Sequence, residues 1–421
     1  MVTMPENTLG IDFGTSNSAV ATIVNGTIKR LQMEADSDTL PSAIFFDFAK
    51  QNTCIGSFAT DALTEGLEGR YMRSLKRVLG TPLMREKRYM MGRHIDFLDI
   101  ISGFLSELKT RAEKTEGKVF TRVLSGRPVH FHDDSAKDRQ AEADLRECYH
   151  MAGFEKVDFM FEPEAAAIAN NVLEQKSALG LIIDIGGGTS DYSVFQSVHN
   201  SEKTIGILAS HGERIGGTDF DKTLNVRIFM PLLGKGAPLR RVFGTGTTTA
   251  PVALFNDLAT WEKIPFMYTR ETLRTVQDLK SHAIDNAPFT RLLNVLEYEL
   301  AHELSMLAES TKIAANQATL SPACIDLGLI DSGHLITLTR SDLDQMMAGY
   351  RDRIVTGVQH TLAKSGCKAD QITDVIFVGG SSLMMFIIEA MQKTFPAAKF
   401  HTSAVFTAVV DGLAIAAHNN T

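Results

Sequence analysis

Four cysteines and a single tryptophan in 421 residues leave little material for a disulfide framework. Cys54, Cys148, Cys324 and Cys367 lie far apart, and no C-x-x-C pair is present, so a zinc knuckle is also excluded. A reducing cytoplasm is the expected setting. No uninterrupted apolar run approaches the ~18 residues of a membrane-spanning helix. The first ten residues, MVTMPENTLG, lack the basic and apolar regions of a signal peptide. Positive charge is short as well: 42 Lys and Arg against 50 Asp and Glu give a net charge of -8. That balance argues against nucleic-acid and acidic-membrane partners, though not against a local phosphate site. The one basic stretch, Arg70 to Arg93, lacks regular aromatic interleaving and reads as a solvated face. Neither G-x-x-x-x-G-K-[ST] nor a full G-x-G-x-x-G occurs, which removes the P-loop and Rossmann fingerprints.

What is present begins with IDFGTSNSAV, residues 11–20, where Asp12 interrupts an apolar strand. Burying an unpaired carboxylate is costly, so the strand ends there or the charge has a partner. Leu9 to Phe13 and Ser18 to Val24 read as strands joined by a small-residue turn, and Asn25-Gly26 turns into a third run, Thr27 to Met33. LIIDIGGGTSDYSVF, residues 181–195, repeats the pattern: Asp, apolar residue, Gly, small-residue turn, alternating strand. Hydroxyls and free backbone N–H groups in such turns can line an anion, and glycine lets a phosphate approach where a Cβ would block it. Asp12 and Asp184 then gain a partner in a hydrated magnesium ion bridging to phosphates.

Between the copies, Val119 to Leu124 and Pro128 to Phe131 suggest strand. A helix opened by Asp133, Asp134 or Ser135 and ended by Gly153 follows. Val157 to Phe161 predicts another strand, and Glu162-Pro163 leads into the helix EAAAIANNVLEQ. Past the second copy, Phe220, Leu224, Ile228 and Leu232 recur at fourfold spacing on one predicted helix. Residues 234–275 read as irregular. Helical patterns run from Leu292 to Asn316 and from Ser341 to Ser365; Asp374 to Val378 is a buried strand broken at Gly379-Gly380-Ser381, and Val405 to Ala417 is a last helix. His130 and His132 would share one strand face, but no third metal ligand stands at a suitable spacing.

The segments IDFGTSNSAV, SLKRVLG, FEPEAAA, LIIDIGGGTSD, RIGGTDFD, ESTKIA and DVIFVGGSS occur here in the order of the seventy-kilodalton heat-shock (DnaK-type) chaperone ATPase region. Across nearly its whole length the chain resembles that region, within the actin, sugar-kinase and heat-shock superfamily, and most of all the short YegD-type branch without a peptide-binding half. The resemblance implies an α/β actin-like ATPase fold, two lobes each with a duplicated ribonuclease-H-like mixed sheet. Lobe I would be residues 1–178 with an insert at about 40–119, completed by the C-terminal helix 405–421. Lobe II would be 179–404 with an insert at about 225–338.

The resemblance further implies Mg-ATP binding, with ATP or ADP held by Gly14, Thr15, Ser16, Gly186, Gly187, Gly188, Thr189, Gly216 and Gly217. Asp12, Asp184 and Asp191 would hold magnesium, mostly through water. Lys76 would reach the γ-phosphate and attacking water, and Glu162 would orient that water, with Thr189 and Asp184 beside them. On the adenosine side the implied residues are Glu309, Lys312, Ile313, Gly379, Gly380, Ser381 and Leu383. Leu383 stands where the chaperones carry an arginine stacked on adenine, which predicts weaker or less adenine-selective binding. Phe406 or Thr407 replaces an acidic residue. Slow hydrolysis coupled to lobe closure is the expected activity, with co-chaperone-like or client proteins as partners. Because the chain ends where the linker and peptide-binding domain would begin, autonomous chaperone activity is not expected. The alternatives are a small-molecule kinase of the same superfamily, a non-hydrolysing nucleotide sensor, and an actin-like filament scaffold.

Overall fold

The computed structural model describes residues 7–35, 37–132, 134–170, 179–199, 203–241, 243–318, 321–402 and 406–419. Packing divides the chain into two compact units. The first comprises residues 1–216, 353–383 and 387–421, and the second 217–352 with 384–386.

Within the first unit, β1 (Thr8–Phe13), β2 (Asn17–Val24) and β3 (Thr27–Arg30) form the expected antiparallel meander, and Asn25 and Gly26 turn with φ of 52° and 75°. Two parallel strands, β4 (Arg122–Arg127) and β5 (Lys156–Phe161), extend the sheet on the other side, giving the order β5-β4-β1-β2-β3. A second sheet repeats the plan. Its meander is β6 (Leu179–Ile185), β7 (Ser190–His199) and β8 (Lys203–Glu213), and its parallel strands are β9 (Asp374–Val378) and β10 (Lys399–His401), in the order β10-β9-β6-β7-β8. Apart from one short extra strand, Thr39–Pro41, which pairs antiparallel with β2 in the first sheet only, the two copies match in strand order and in each parallel or antiparallel pairing.

Alternation explains why these runs are strands. Leu9, Ile11 and Phe13 point into one core with Phe104, Leu105 and Leu108 of α1 (Phe97–Glu116) and Tyr149 of α2 (Ser135–Met151). On the opposite face, α3 (Glu162–Ala169) and α6 (Ala408–Asn419) pack with Leu124 of the first sheet and Ile182 and Ile376 of the second. Gly412 and Gly10 permit this: a Cβ on Gly412 would lie 1.8 Å from the carbonyl oxygen of Ala165, and one on Gly10 3.0 Å from the nitrogen of Ala414. Central strands β6 and β9 are covered on both faces, so LIIDI and DVIFV read as near-continuous apolar runs. The fold is thus the mixed α/β actin-like architecture.

Several local expectations change. Residues 128–131 are not strand: Pro128 has no N–H to donate, and the N–H of Phe131 goes to Asp138 Oδ1 at 2.6 Å instead of a neighbouring strand. Asp134 is the N-cap of α2, accepting from the N–H groups of Ala136 and Lys137, whereas Asp133 lies outside the described residues. The helix expected from Leu292 to Asn316 is two, Ala287–Glu297 and α5 (Ala301–Gln317), separated where Glu299 adopts φ 56° and the N–H of Leu300 caps the carbonyl of Val295. In the second unit, α4 (Gly217–Leu224) runs into a π-helical turn, Asn225–Phe229. Its extra residue moves the buried stripe from Ile228 and Leu232 to Phe229 and Leu233. Residues 234–275 are largely ordered rather than irregular: they contain a hairpin of Pro238–Arg240 with Thr247–Thr249, the helix Val252–Leu258 and the start of Arg270–His282. The end of the EAAAIANNVLEQ helix and the start expected at Val405 fall outside the described residues. Among the described residues all four cysteines are free, and no helix is long and apolar enough to cross a membrane.

Candidate functional site

The carboxyl ends of the parallel strands are where open α/β sheets present their chemistry. Asp12 lies one residue from the end of β1, Glu162 directly follows β5, Asp184 lies one residue from the end of β6, and Gly379-Gly380 directly follows β9. All four positions belong to the first unit.

Each meander contributes its turn. In the first, a Cβ on Gly14 would meet the carbonyl oxygen of Asn17 at 2.2 Å, so only glycine permits the tight bend. Ser42 pins it: its Oγ donates to the carbonyl of Gly14 at 2.8 Å, its N–H donates to the carbonyl of Ser16, and it meets Ser18 Oγ at 2.8 Å. In the second, the N–H of Gly186 donates to the carbonyl of Thr189 at 3.0 Å. The two turns touch. A Cβ on Gly187 would lie 2.2 Å from Ser16 Oγ and 3.9 Å from Thr15 Cγ2. Gly216 closes on the second turn from behind, since its Cβ would lie 2.4 Å from the nitrogen of Gly188, and Ser190 Oγ holds the same loop by donating to the carbonyl of Ile215.

Lys76 reaches this place from the short helix Leu75–Val78, entered through Ser74 at φ 59°. Three contacts fix that segment: Leu75 is buried, the N–H of Gly80 donates to Asp144 Oδ2 at 2.9 Å, and His132 Nε2–H donates to the carbonyl of Leu79 at 2.7 Å. The Lys76 ammonium meets Glu162 Oε1 at 2.5 Å with both side chains nearly buried. Burial opposes its charge, but Glu162, Asp12 and Asp184 outweigh that and raise its pKa.

The acids feel the reverse. Burial and then the charge of Glu162 push Asp12 up to about 7, with Lys76 offsetting part of the rise. Asp191 is pushed to about 8 for the same reasons, and Asp184 is raised by burial, Glu162, Asp191 and Asp12. Asp184 and Asp191 face each other across the hairpin, whereas the partner of Asp12 is Ala19. Four carboxylates therefore share one ammonium, and full ionisation leaves three negative charges uncompensated. A divalent cation fits such a set. Among the described residues no three Asp, Glu, His or Cys side chains converge as direct ligands.

The remaining expected residues are placed as follows. A Cβ on Gly379, at φ 74°, would lie 2.4 Å from the carbonyl of Ile185 and 3.0 Å from Asp184 Oδ1. One on Gly380 would lie 2.6 Å from the ring of Phe406, which remains 56% exposed. Ser381 and Leu383 are half-buried, and it is Ser382 that is buried and donates to the carbonyl of Gly379. In the second unit, Gly217 opens α4, and Glu309, Lys312 and Ile313 lie on α5. Lys312 is buried, its ammonium 2.7 Å from Asp221 Oδ1, while Ile313 is 47% exposed.

Sequence reasoning missed Ser18 and Ser42, and it missed Arg77, whose Cδ and Nε would lie 3.4 Å from a Cβ on Gly188. Only the adjacency of Arg77 to Lys76 in SLKRVLG could have signalled it. His130 and His132 belong to no metal cluster among the described residues.

The model of the family described as Hsp70 protein matches residues 8–97, 83–231 and 279–419. These matches take in both meanders, the Lys76 segment, α5 and the strand-Gly-Gly break after β9, and they leave out 232–278. Duplicated sheets, paired turns and a match over most of its length agree: the chain belongs to the Hsp70 family, and with it to the ATP-binding, chaperone-like proteins.

Proposed function

We propose that the protein binds Mg-ATP at the meeting turns of its two meanders and hydrolyses it slowly to ADP and phosphate. The observation that carries this reading is the close approach of Gly187 to Ser16, which joins two anion-lining turns directly beside the Lys76–Glu162 pair and the acid cluster. Phosphoryl transfer needs positioning and charge stabilisation more than covalent help, and these are what the residues offer. Backbone N–H groups and hydroxyls of Thr15, Ser16 and Gly186 to Thr189 would cradle the phosphates. Magnesium, when bound through Asp12, Asp184 and Asp191, would screen the acids from the polyphosphate and stabilise the charge that develops on it. Lys76 donates toward the terminal phosphate, while Glu162, held by Lys76, accepts from the attacking water and aligns it.

The nucleoside side of the proposal comprises Gly216, Gly217, Gly379, Gly380, Ser381 and Leu383, with Glu309, Lys312 and Ile313. Support for Leu383 as an apolar, poorly selective base contact is the lack of a cation at that position. The lobe boundaries, 1–178 and 179–404, belong to the same reading, because each span opens with its own copy of the meander. Co-chaperone-like or client proteins are the proposed partners.

Calorimetric titration with ATP, ADP and GTP in magnesium, paired with phosphate release, tests the reading. Asp184→Asn should weaken nucleotide binding, and Lys76→Ala should abolish hydrolysis with binding largely kept. No nucleotide binding by the wild type would refute it.

A further inference from the structure

The first unit holds a second polar cavity, which shares Thr189 and Asp191 with the nucleotide reading but is otherwise lined by residues that reading does not use. Its volume is about 220 Å³, and its lining also includes His130, His132, Lys137 and Arg214. We propose that this pocket is an oxyanion site that receives inorganic phosphate as it leaves the hydrolysis site; the product assignment rests on the ATPase reading above.

Three observations select the ligand. The first is size: the cavity falls below the roughly 300 Å³ at which pockets begin to hold drug-sized molecules, yet exceeds several waters of about 30 Å³ each. A phosphate with part of its hydration shell fits, whereas a sugar-sized acceptor beside it is crowded. The second is donor chemistry. Lys137 and Arg214 are exposed and enter no ion pair among the described residues, and an Arg fork with a Lys point charge suits a tetrahedral anion. His132 donates its Nε2–H to the carbonyl of Leu79, which leaves Nδ1 to accept the proton of a hydrogen phosphate. The third is that two of the three acids on the wall are occupied elsewhere. Asp134 caps α2, and Glu213 pairs with Arg353 at 3.3 Å. The remaining acid, Asp191, belongs to the cation cluster and marks the side from which phosphate would arrive.

The same wall ties the pocket to the chemistry. His132 holds the Lys76 segment through Leu79, and a Cβ on Gly80 in that segment would lie 2.4 Å from the carbonyl oxygen of Lys137. His132 and Lys137 of the second site and the lysine of the first therefore sit on one packed scaffold.

The test uses the full chain with Lys137→Ala and Arg214→Ala, singly and together. Phosphate added from solution, titrated calorimetrically, should bind about fivefold or more weaker to each variant, while ATP affinity and melting temperature stay at wild-type values. In a single turnover, acid-quenched cleavage should be unchanged, but the lag of phosphate release behind cleavage, read with a fluorescent phosphate sensor, should shorten about threefold or more in the double variant. Weakened phosphate binding with an unchanged lag would identify an effector from solution and overturn the product assignment. Undiminished phosphate binding in the variants, or loss of ATP and phosphate binding together, would overturn the pocket. A wild type that binds phosphate through Lys137 and Arg214 but binds no ATP would refute the ATPase reading and leave the oxyanion site standing.

Discussion

Gly216→Ala isolates the second anion-lining turn without touching any charged group. The added Cβ would lie 2.4 Å from the nitrogen of Gly188, 2.5 Å from the carbon of Gly187 and 2.6 Å from its oxygen. All three are backbone atoms, so no side chain can rotate away. Ordinary contact begins near 3.4 Å, which requires the turn and the Ile215–Gly216 loop to separate by about 1 Å. Retreat of the loop is resisted by Ser190 Oγ, which donates to the carbonyl of Ile215 from a buried position. The turn must therefore give. Loss of one charge-assisted phosphate contact costs about 1.5 to 3 kcal/mol, and we expect ATP affinity to fall about 10- to 100-fold. Overpacking itself would lower stability by about 1 to 3 kcal/mol. Titration calorimetry read beside thermal unfolding separates the two effects. Gly103→Ala is the control: this helical glycine has nothing within 4 Å of a built Cβ, so alanine should stabilise by about 0.5 to 1 kcal/mol and leave affinity alone. A Gly216→Ala protein that binds ATP within about twofold of wild type would refute the claim that the turns form the phosphate cradle.

Arg30→Ala should cost about 1 to 3 kcal/mol in chemical denaturation, because it strips the buried Asp411 of α6 of a two-pronged partner at 2.8 and 2.7 Å. Gly412→Ala drives a methyl to 1.8 Å from the carbonyl of Ala165 where α3 crosses α6, and we expect a loss of about 3 kcal/mol or more, or no soluble protein; a wild-type melting curve would contradict that crossing. The acid cluster makes binding proton-linked. Asp12 at about 7 and Asp191 at about 8 lie above the ordinary carboxylate value of 3.8, so at neutral pH the folded protein keeps protons that the unfolded chain has lost. The contribution of these two acids to the stability of the metal-free protein is then full below about pH 4 and is lost as pH rises toward 8. Magnesium nucleotide should expel those protons at pH 7, seen as a buffer-dependent calorimetric enthalpy, and bind more tightly at pH 8 than at pH 6. Equal enthalpies in buffers of different ionisation heat would remove the proton-linked cluster.

Features whose signal is local were legible in the sequence. Asp12 and Asp184 each stand one residue before a strand ends and two before a glycine, so IDFG and IDIG announced both meanders, and pairing the two exposed the duplication. Ser42 gave no such signal: it meets Gly14 and Ser18 only through folding, and a lone serine in sequence has no direction. The π-turn at Asn225–Phe229 defeated the fourfold pattern because one inserted residue shifts phase without changing composition. Residues 234–275 looked irregular because their glycines and threonines serve a short hairpin whose pairing, Leu239 with Thr248, is not periodic. Lys312 was legible as a position but not as a buried ion pair with Asp221, since burial of a lysine depends on a partner 91 positions away in the chain.

The two meanders are equal in topology but not in charge, and the inequality bears on mechanism. Opposite Asp12 the first copy places Ala19, while opposite Asp184 the second places Asp191. The first sheet instead supplies Glu162 from the end of β5, and Lys76, on the short helix Leu75–Val78, neutralises that acid. Negative charge that no protein group balances therefore concentrates on the second copy, where burial raises both acids and the charge of Asp191 further raises Asp184. In the proposed reading a cation drawn to that side would answer to Asp184 and Asp191, while Lys76 is held by Glu162. Duplication built the paired turns, and in the proposed reading the divergence of one residue pair, Ala19 against Asp191, gives them a lysine side and a cation side. An in-line displacement needs such a division, because the incoming water and the departing phosphate oxygen lie on opposite sides of the phosphorus and call for different partners.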